Sequence, residues 1–249
     1  MNWRVVAVAV LVCLISEAKS KGEKKPNPDK HDAPGTMLLN DEKIDVVWTD
    51  GDSFKIKSGQ YKGHGTRLQR YNTLEAFGPV HSWGTWTPRE LYDIAKASSS
   101  VAASQEWKCT TDGKVDGYKR LLIDCPEAAK EMVRQGHAMV YAVENLKPDA
   151  ELLAIQKEAQ AKKVGIWAKG VTKGIITSLH SLGEDGPEAD GESYNRVVDT
   201  RTGEALVRKH KDTYETCQSV CEKTDGDQSC MIYVPFKRRY GGKPDCLRN

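Results

Sequence analysis

Ile44-Asp-Val-Val-Trp-Thr-Asp-Gly-Asp-Ser-Phe-Lys-Ile56 is the stretch whose reading decides the fold. Ile44 to Trp48 and Phe54 to Ile56 are short, β-branched and aromatic runs, and Asp50-Gly51-Asp52-Ser53 between them is a tight turn. Two antiparallel strands joined by a turn that displays carboxylates are therefore expected here. By itself an Asp-Gly pair is an ordinary hairpin turn, so the surrounding chain must supply its meaning. Downstream, Arg67-Leu-Gln-Arg-Tyr71 reads as another strand, and Asn72-Thr-Leu-Glu75 follows its end.

Helical signals come later in the chain. Thr87-Pro-Arg-Glu90 is a capping box with proline at the first helical position, so a helix is predicted through Leu91 and Ile94. Pro126-Glu127 opens a second helix carrying Ala129, Met132 and Val133 and closed by Gly136. Asp149 begins a third, with Leu152, Ile155 and Ala159 on one face, Glu158 paired with Lys162, and Gly165 at its end. Strands first and helices interleaved later indicate an α+β, barrel-like domain rather than a parallel βαβ sheet.

Composition sets the outer limits. The chain has 249 residues, Lys+Arg 37 against Asp+Glu 35, and 29% charged residues. That charge content excludes a polytopic membrane protein, while six Trp and nine Tyr can furnish a core. A net charge of +2 is too small to coat a polyanion, so any nucleic-acid binding must come from local placement of charge.

Met1 to Ser20 has one early cation, Arg4, then an apolar run from Val5 to Ile15 that is too short to span a bilayer. With small residues in Ser16-Glu17-Ala18 it reads as a secretory signal peptide over residues 1–20, an uncleaved anchor being the rival. Cys13 follows Val12, which counts against a lipoprotein. A secreted or periplasmic location is expected, with no stable membrane insertion after removal of the leader. Residues 21–39, rich in Lys, Pro and Asp, are expected to be a flexible linker, residues 40–170 the main domain, and residues 171–249 a cysteine-rich C-terminal extension. Cys109, Cys125, Cys217, Cys221, Cys230 and Cys246 remain after the leader, an even set in an oxidising compartment. Cys109 and Cys125 flank the turn-rich segment from Thr110 to Gly117 and are expected to be bridged. The last four suit two further bridges of open connectivity. Zinc is the rival, but their spacing lacks the tight paired knuckles of zinc sites.

Arg67 and Arg120, with the Asp50–Asp52 turn, supply two guanidiniums and a carboxylate cluster. Guanidinium grips phosphate oxygens bidentately and carboxylates hold a hard metal, so a phosphate bound beside a cation is the implied ligand. The order Asp50-Gly-Asp-Ser53, Arg67-Leu68 with Asn72-Thr-Leu-Glu75, Asp116-Gly-Tyr-Lys-Arg120, Val133-Arg-Gln-Gly136, and Glu158-Ala-Gln-Ala-Lys-Lys163 with Gly165-Ile-Trp167 resembles the staphylococcal (micrococcal) nuclease, or thermonuclease, family. The likeness runs from about Ile44 to Lys169, and only the segment between Gly78 and Glu106, with His81, Trp83 and Trp86, is hard to place.

The resemblance implies a five-stranded OB-fold β-barrel with about three packed helices, here followed by a small disulfide-stapled extension. It implies a calcium-dependent endonuclease hydrolysing phosphodiester bonds of DNA and/or RNA to 3′-phosphate products, and a monomer is expected. Glu75 would be the general base, Arg67 and Arg120 would hold the scissile phosphate, and Asp52, Asn72 and the Thr73 carbonyl would ligate Ca2+. Tyr118 and Tyr141 would stack on a base or sugar, with core or rim packing as the plainer reading.

Asn72 stands where the family usually has Asp, Leu74 where it has Pro, and Lys119 where it has Gly. An amide oxygen still ligates calcium but brings no charge, so weaker metal binding is expected. The alternative is a non-catalytic nucleic-acid-binding OB module with a degraded metal site. His64, His81 and His137 lack ligand spacing and read as structural, Trp167 as core. Lys237-Arg-Arg-Tyr240 reads as solvated surface, or as help in holding a polyanion.

Overall fold

Alternating apolar residues build the first sheet of the computed structural model, which describes residues 32–142, 146–184, 191–239 and 243–247. Strands β1 (Ala33–Leu39), β2 (Glu42–Asp50) and β3 (Ser53–Ile56) form an antiparallel meander. Met37, Ile44, Val46, Trp48, Phe54 and Ile56 turn one face inward, with Trp48 and Phe54 rings 4.9 Å apart. The strand β1 corrects the linker boundary expected at residue 39, because Met37 and Leu39 are core residues of the sheet. The leader and residues 21–31 lie outside the described residues.

The expected strand from Arg67 to Tyr71 is two strands, β4 (Thr66–Leu68) and β5 (Tyr71–Thr73). The break falls at Arg70, whose φ of 76° is incompatible with an extended strand. Its guanidinium is held by Asp124 at 2.6 Å and Asp149 at 2.8 Å, which fixes the kink. Next come β6 (Val80–Trp83) and helix α1 (Pro88–Ala103). The Thr87 capping box forms as expected, with the Glu90 carboxylate accepting from the Thr87 amide at 3.0 Å.

Beyond α1 the chain forms β7 (Trp107–Cys109), β8 (Leu121–Ile123), α2 (Pro126–Arg134), β9 (Ala138–Val140) and α3 (Ala150–Lys162). β7 adds parallel to β1, β8 runs parallel to β4, and β9 pairs antiparallel with β5. Isolated bridges Thr110↔Asp124 and Lys55↔Gly65 join these pieces at their edges. The barrel-like wall is thus assembled from short ladders; among the described residues no single continuous ladder closes it. Asp149 caps α3 by accepting from the Glu151 and Leu152 amides. The helix ends on left-handed Lys163, two residues before the expected Gly165. Gly165 instead packs its backbone against Gly136, whose carbonyl accepts from the Ile166 amide at 2.9 Å.

After Gly170 come β10 (Gly174–Ser178), β11 (Ser193–Asp199), β12 (Ala205–His210), β13 (Ser219–Thr224) and β14 (Asp227–Ile232). β10, β11 and β12 form one sheet, while β13 and β14 extend the sheet to β6. This C-terminal region is stapled by Cys217–Cys246 and Cys221–Cys230, and the main domain by Cys109–Cys125. It is more than an appendage. Ile175 and Val198 share a core with Leu74, Trp83, Met139, Ile166 and Trp167, and β14 is hydrogen-bonded to β6. Among the described residues no helix is long and apolar enough to cross a membrane.

Candidate active site

Gly51 sets the depth of the β2–β3 turn. A Cβ there would lie 2.6 Å from Thr73 Cγ2 and 2.7 Å from Met132 Cε, so only glycine lets the turn settle against β5 and α2. The Tyr71 hydroxyl then donates to the Gly51 carbonyl at 2.9 Å, and the Leu68 amide donates to the Asp52 carbonyl at 2.9 Å. Asp52 is thereby buried, which an exposed hairpin turn would not require.

Around Asp52 the expected residues gather. Its Oδ1 meets Arg67 Nη1 at 2.6 Å and the Ser53 hydroxyl at 2.8 Å, and its Oδ2 accepts from the Thr73 amide at 2.9 Å. Arg67 also donates to the Asn72 amide oxygen, and Asn72 Nδ2 donates to the Thr73 carbonyl at 2.5 Å. Burial pushes the Asp52 carboxyl up, but Arg67 and these hydrogen bonds outweigh it and hold it below the ordinary value. For Asp50 the balance is reversed, although Arg67 pulls its carboxyl down and the Asp52 amide donates to it at 3.3 Å. Burial, then the charges of Asp52 and Glu75, push its carboxyl well above the usual range. Glu75 is raised to about 7, by burial first and by Asp52 second, against the pull of Arg67, Arg239 and Arg120. Burial works against the charge of Arg67, yet Asp52, Tyr141, Asp50 and Glu75 keep it firmly protonated.

Arg120 leaves the tight turn that Asp116 organises. Asp116 accepts from the Tyr118 and Arg120 amides at 2.9 Å and pairs with Arg120 Nη2 at 2.7 Å. Its guanidinium lies 5.5 Å from the exposed Tyr118 ring. Lys119 holds a φ of 63°, the left-handed region that suits glycine, so the lysine carries local strain there. Leu74 occupies a core position beside Trp83 and Leu91. Tyr141 is buried, with Arg67 5.8 Å from its ring centre.

Three residues that the sequence did not assign to the site also lie here. His81, on β6, accepts from the Glu75 amide at 3.1 Å through Nε2. Burial drives its imidazole down to about 3, so it stays neutral and fixes the backbone that carries Glu75. Arg239 lies in the run read as solvated surface, but its side chain is only 17% exposed. It packs on Gly78, donates to the Val234 and Leu179 carbonyls, and is one of the charges felt by Glu75. Tyr240 of that run lies outside the described residues. Arg196, on β11, hydrogen-bonds Tyr141 and lies in the field of Tyr118. None of these was legible, because each reaches the site through long-range pairing.

The oxygens gathered at Arg67 are an Asp52 carboxylate oxygen and the Asn72 amide oxygen, which accept from its guanidinium, and, adjacent to them, the Thr73 carbonyl. A hard divalent cation prefers such oxygen ligands. The residues therefore fit a cation of the calcium type. Among the described residues no group of three His, Cys, Asp or Glu side chains forms a metal cluster.

A barrel-like α+β fold with arginines and carboxylates gathered over its β2–β3 turn is the arrangement of a nuclease-like OB domain. Residues 79–169 match the staphylococcal nuclease homologue family. The matched stretch holds Arg120, Tyr118 and Tyr141 as well as β6 and α1, the segment that was hard to place, whereas Asp52, Arg67 and Glu75 precede it. No curated protein matches the chain.

Proposed function

We propose that the protein is a secreted or periplasmic, calcium-dependent nuclease that hydrolyses phosphodiester bonds of DNA and/or RNA. The observation that carries the reading is the Arg67–Asp52 ion pair at 2.6 Å, with the Glu75 carboxyl feeling the charges of Asp52, Arg67 and Arg120. Glu75, raised to about 7, is a suitable base near neutral pH and would take the proton of the attacking water. Arg67 and Arg120 would bind the phosphate oxygens and stabilise the charge that grows on them as water adds. To reach a phosphate, Arg67 would exchange part of its Asp52 and Asn72 contacts for the substrate.

Asp52, Asn72 and the Thr73 carbonyl would hold calcium, which when bound polarises the phosphate and offsets carboxylate charge. Asn72 contributes no charge, and its own Nδ2 engages the Thr73 carbonyl, so metal binding would be weaker than with aspartate. Three disulfides are consistent with an oxidising compartment. Together with the leader-like residues 1–20 they support export.

Cleavage of heat-denatured DNA by the oxidised protein, titrated with calcium and quenched with chelator, tests this reading. Glu75→Gln should remove hydrolysis by at least about a hundredfold while leaving DNA binding in place. Undiminished cleavage by that variant would refute Glu75 as the base. DNA binding without cleavage at any calcium level would assign the non-catalytic module instead.

A further inference from the structure

β11 lies outside the matched stretch, yet it sends one cationic side chain toward the site. Ser193, Asn195 and Val197 face inward, so Tyr194 and Arg196 lie on the opposite face of the strand. Arg196 pairs with Ser178 beside the β10–β11 register shift, whose extra residue is Thr177 on β10. Its guanidinium lies 5.2 Å from the Tyr194 ring and bonds Tyr141. Among the described residues it forms no ion pair, whereas Arg67, Arg120 and Arg239 each have a carboxylate partner. Tyr141 bonds Arg196 and has Arg67 5.8 Å from its ring centre, while Tyr118, 5.5 Å from Arg120, contributes to the field at Arg196.

We propose that Arg196 binds the phosphate of a nucleotide flanking the scissile bond, making the C-terminal region part of the strand-binding groove. The proposal rests on the nuclease reading for the word scissile, but the binding itself does not. A partly buried guanidinium beside aromatic rings, with no carboxylate partner among the described residues, keeps its bidentate donors for an anion. Tyr118, Tyr141 and Tyr194 offer ring faces beside it, the combination that suits a single strand.

The test measures binding of a fluorescein-labelled oligothymidylate by anisotropy, in chelator, across a salt series. Arg196→Gln should weaken binding about five- to tenfold and lower the log–log salt slope by about 0.7, the amount one phosphate contact contributes on a single strand. Arg196→Lys should keep the slope and lose part of the affinity. Arg238→Gln, at an exposed position of the same region, should change neither. An unchanged slope in folded Arg196→Gln overturns the proposal, as does loss of slope in the lysine variant. Hydrolysis adds a second reading: Arg196→Gln should lower kcat/KM on the long strand and spare a dinucleoside monophosphate, which has no flanking phosphate. Equal losses on both would move Arg196 to the scissile phosphate and refute the flanking assignment. Absence of cleavage by the wild-type protein, with the slope change intact, would refute the nuclease reading and leave Arg196 as a strand contact.

Discussion

Acid should weaken this fold through His81, and the size of the effect follows from its surroundings. The ring is 2% exposed, and its Nε2 accepts from the Glu75 amide, so the proton sits on Nδ1, a buried atom without a partner. A second proton would have to occupy the acceptor nitrogen, break that bond and place a charge in the core. Burial accordingly takes the imidazole from 6.5 to about 3. A group depressed in the folded state leaves stability intact above its unfolded value, and stability is lost as pH falls toward the folded value, at about 1.4 kcal/mol per pH unit. Glu75 acts in the opposite sense. Its value is raised from 4.5 to about 7, so its contribution is full below 4.5 and lost as pH rises through about 7. The two slopes oppose each other in the wild-type profile, and a difference between proteins is needed to separate them. Urea unfolding of wild type and His81→Gln at about pH 7.5 and about pH 4.5 supplies it. Glutamine can still accept from the Glu75 amide but does not titrate. The stability advantage of wild type over the variant should shrink by about 3 kcal/mol between the two conditions. An advantage that stays constant within about 0.5 kcal/mol would refute the buried, neutral His81 and with it the account of how Glu75 is held.

Two further substitutions test the backbone around the site. Lys119→Gly should raise the midpoint of thermal unfolding, with a gain of about 1 kcal/mol, because glycine relieves the left-handed strain at φ 63°; a lower midpoint would show that the lysine side chain earns its place otherwise. Gly165→Ala should cost about 3 kcal/mol or more in urea unfolding, since the new Cβ at φ 54° would run into the Gly136 carbonyl, which has no freedom to move; a loss under about 1 kcal/mol would refute that close approach.

What could be read from the sequence was what the chain decides locally. The Thr87 capping box, the Asp149 cap and the proline at the head of α2 each act within one helical turn, and each forms where expected. The Asp50–Ser53 turn was legible as a turn, and its order with Arg67, Glu75 and Arg120 as a possible site, because both depend on residue types at short spacing. Its burial was not. That depends on Tyr71, Met132 and Thr73 meeting Gly51, contacts that no local pattern encodes. Arg70 illustrates the same limit. Its kink splits an apparently continuous strand because Asp124 and Asp149, far along the chain, hold its side chain. The pairing of the last four cysteines was equally hidden. Cys221 faces Cys230 across the β13–β14 hairpin, but Cys217 reaches Cys246 only after the chain has crossed β14 and returned.

The C-terminal region shows why a cysteine-rich tail should not be read as a detachable label. β14 is the only strand hydrogen-bonded to β6 among the described residues, pairing Met231 with His81 and Cys230 with Ser82. His81 in turn holds the Glu75 amide, so the position of the proposed base depends on a strand about 150 residues later. Arg239 reaches the same place from another direction, packed on Gly78 and contributing to the charge that Glu75 feels. Arg196 arrives from β11 and bonds Tyr141. These links come from different elements of residues 171–249 and end on one small region of the domain. A tail that only delivered the barrel to a partner would need an outer surface, whereas this one commits its inner face to the site. With the proposed contact of Arg196, the region would form a second wall of the groove. On that view the stretch matching the nuclease family is a part of the functional unit, and the disulfides preserve the geometry of the wall as well as its stability.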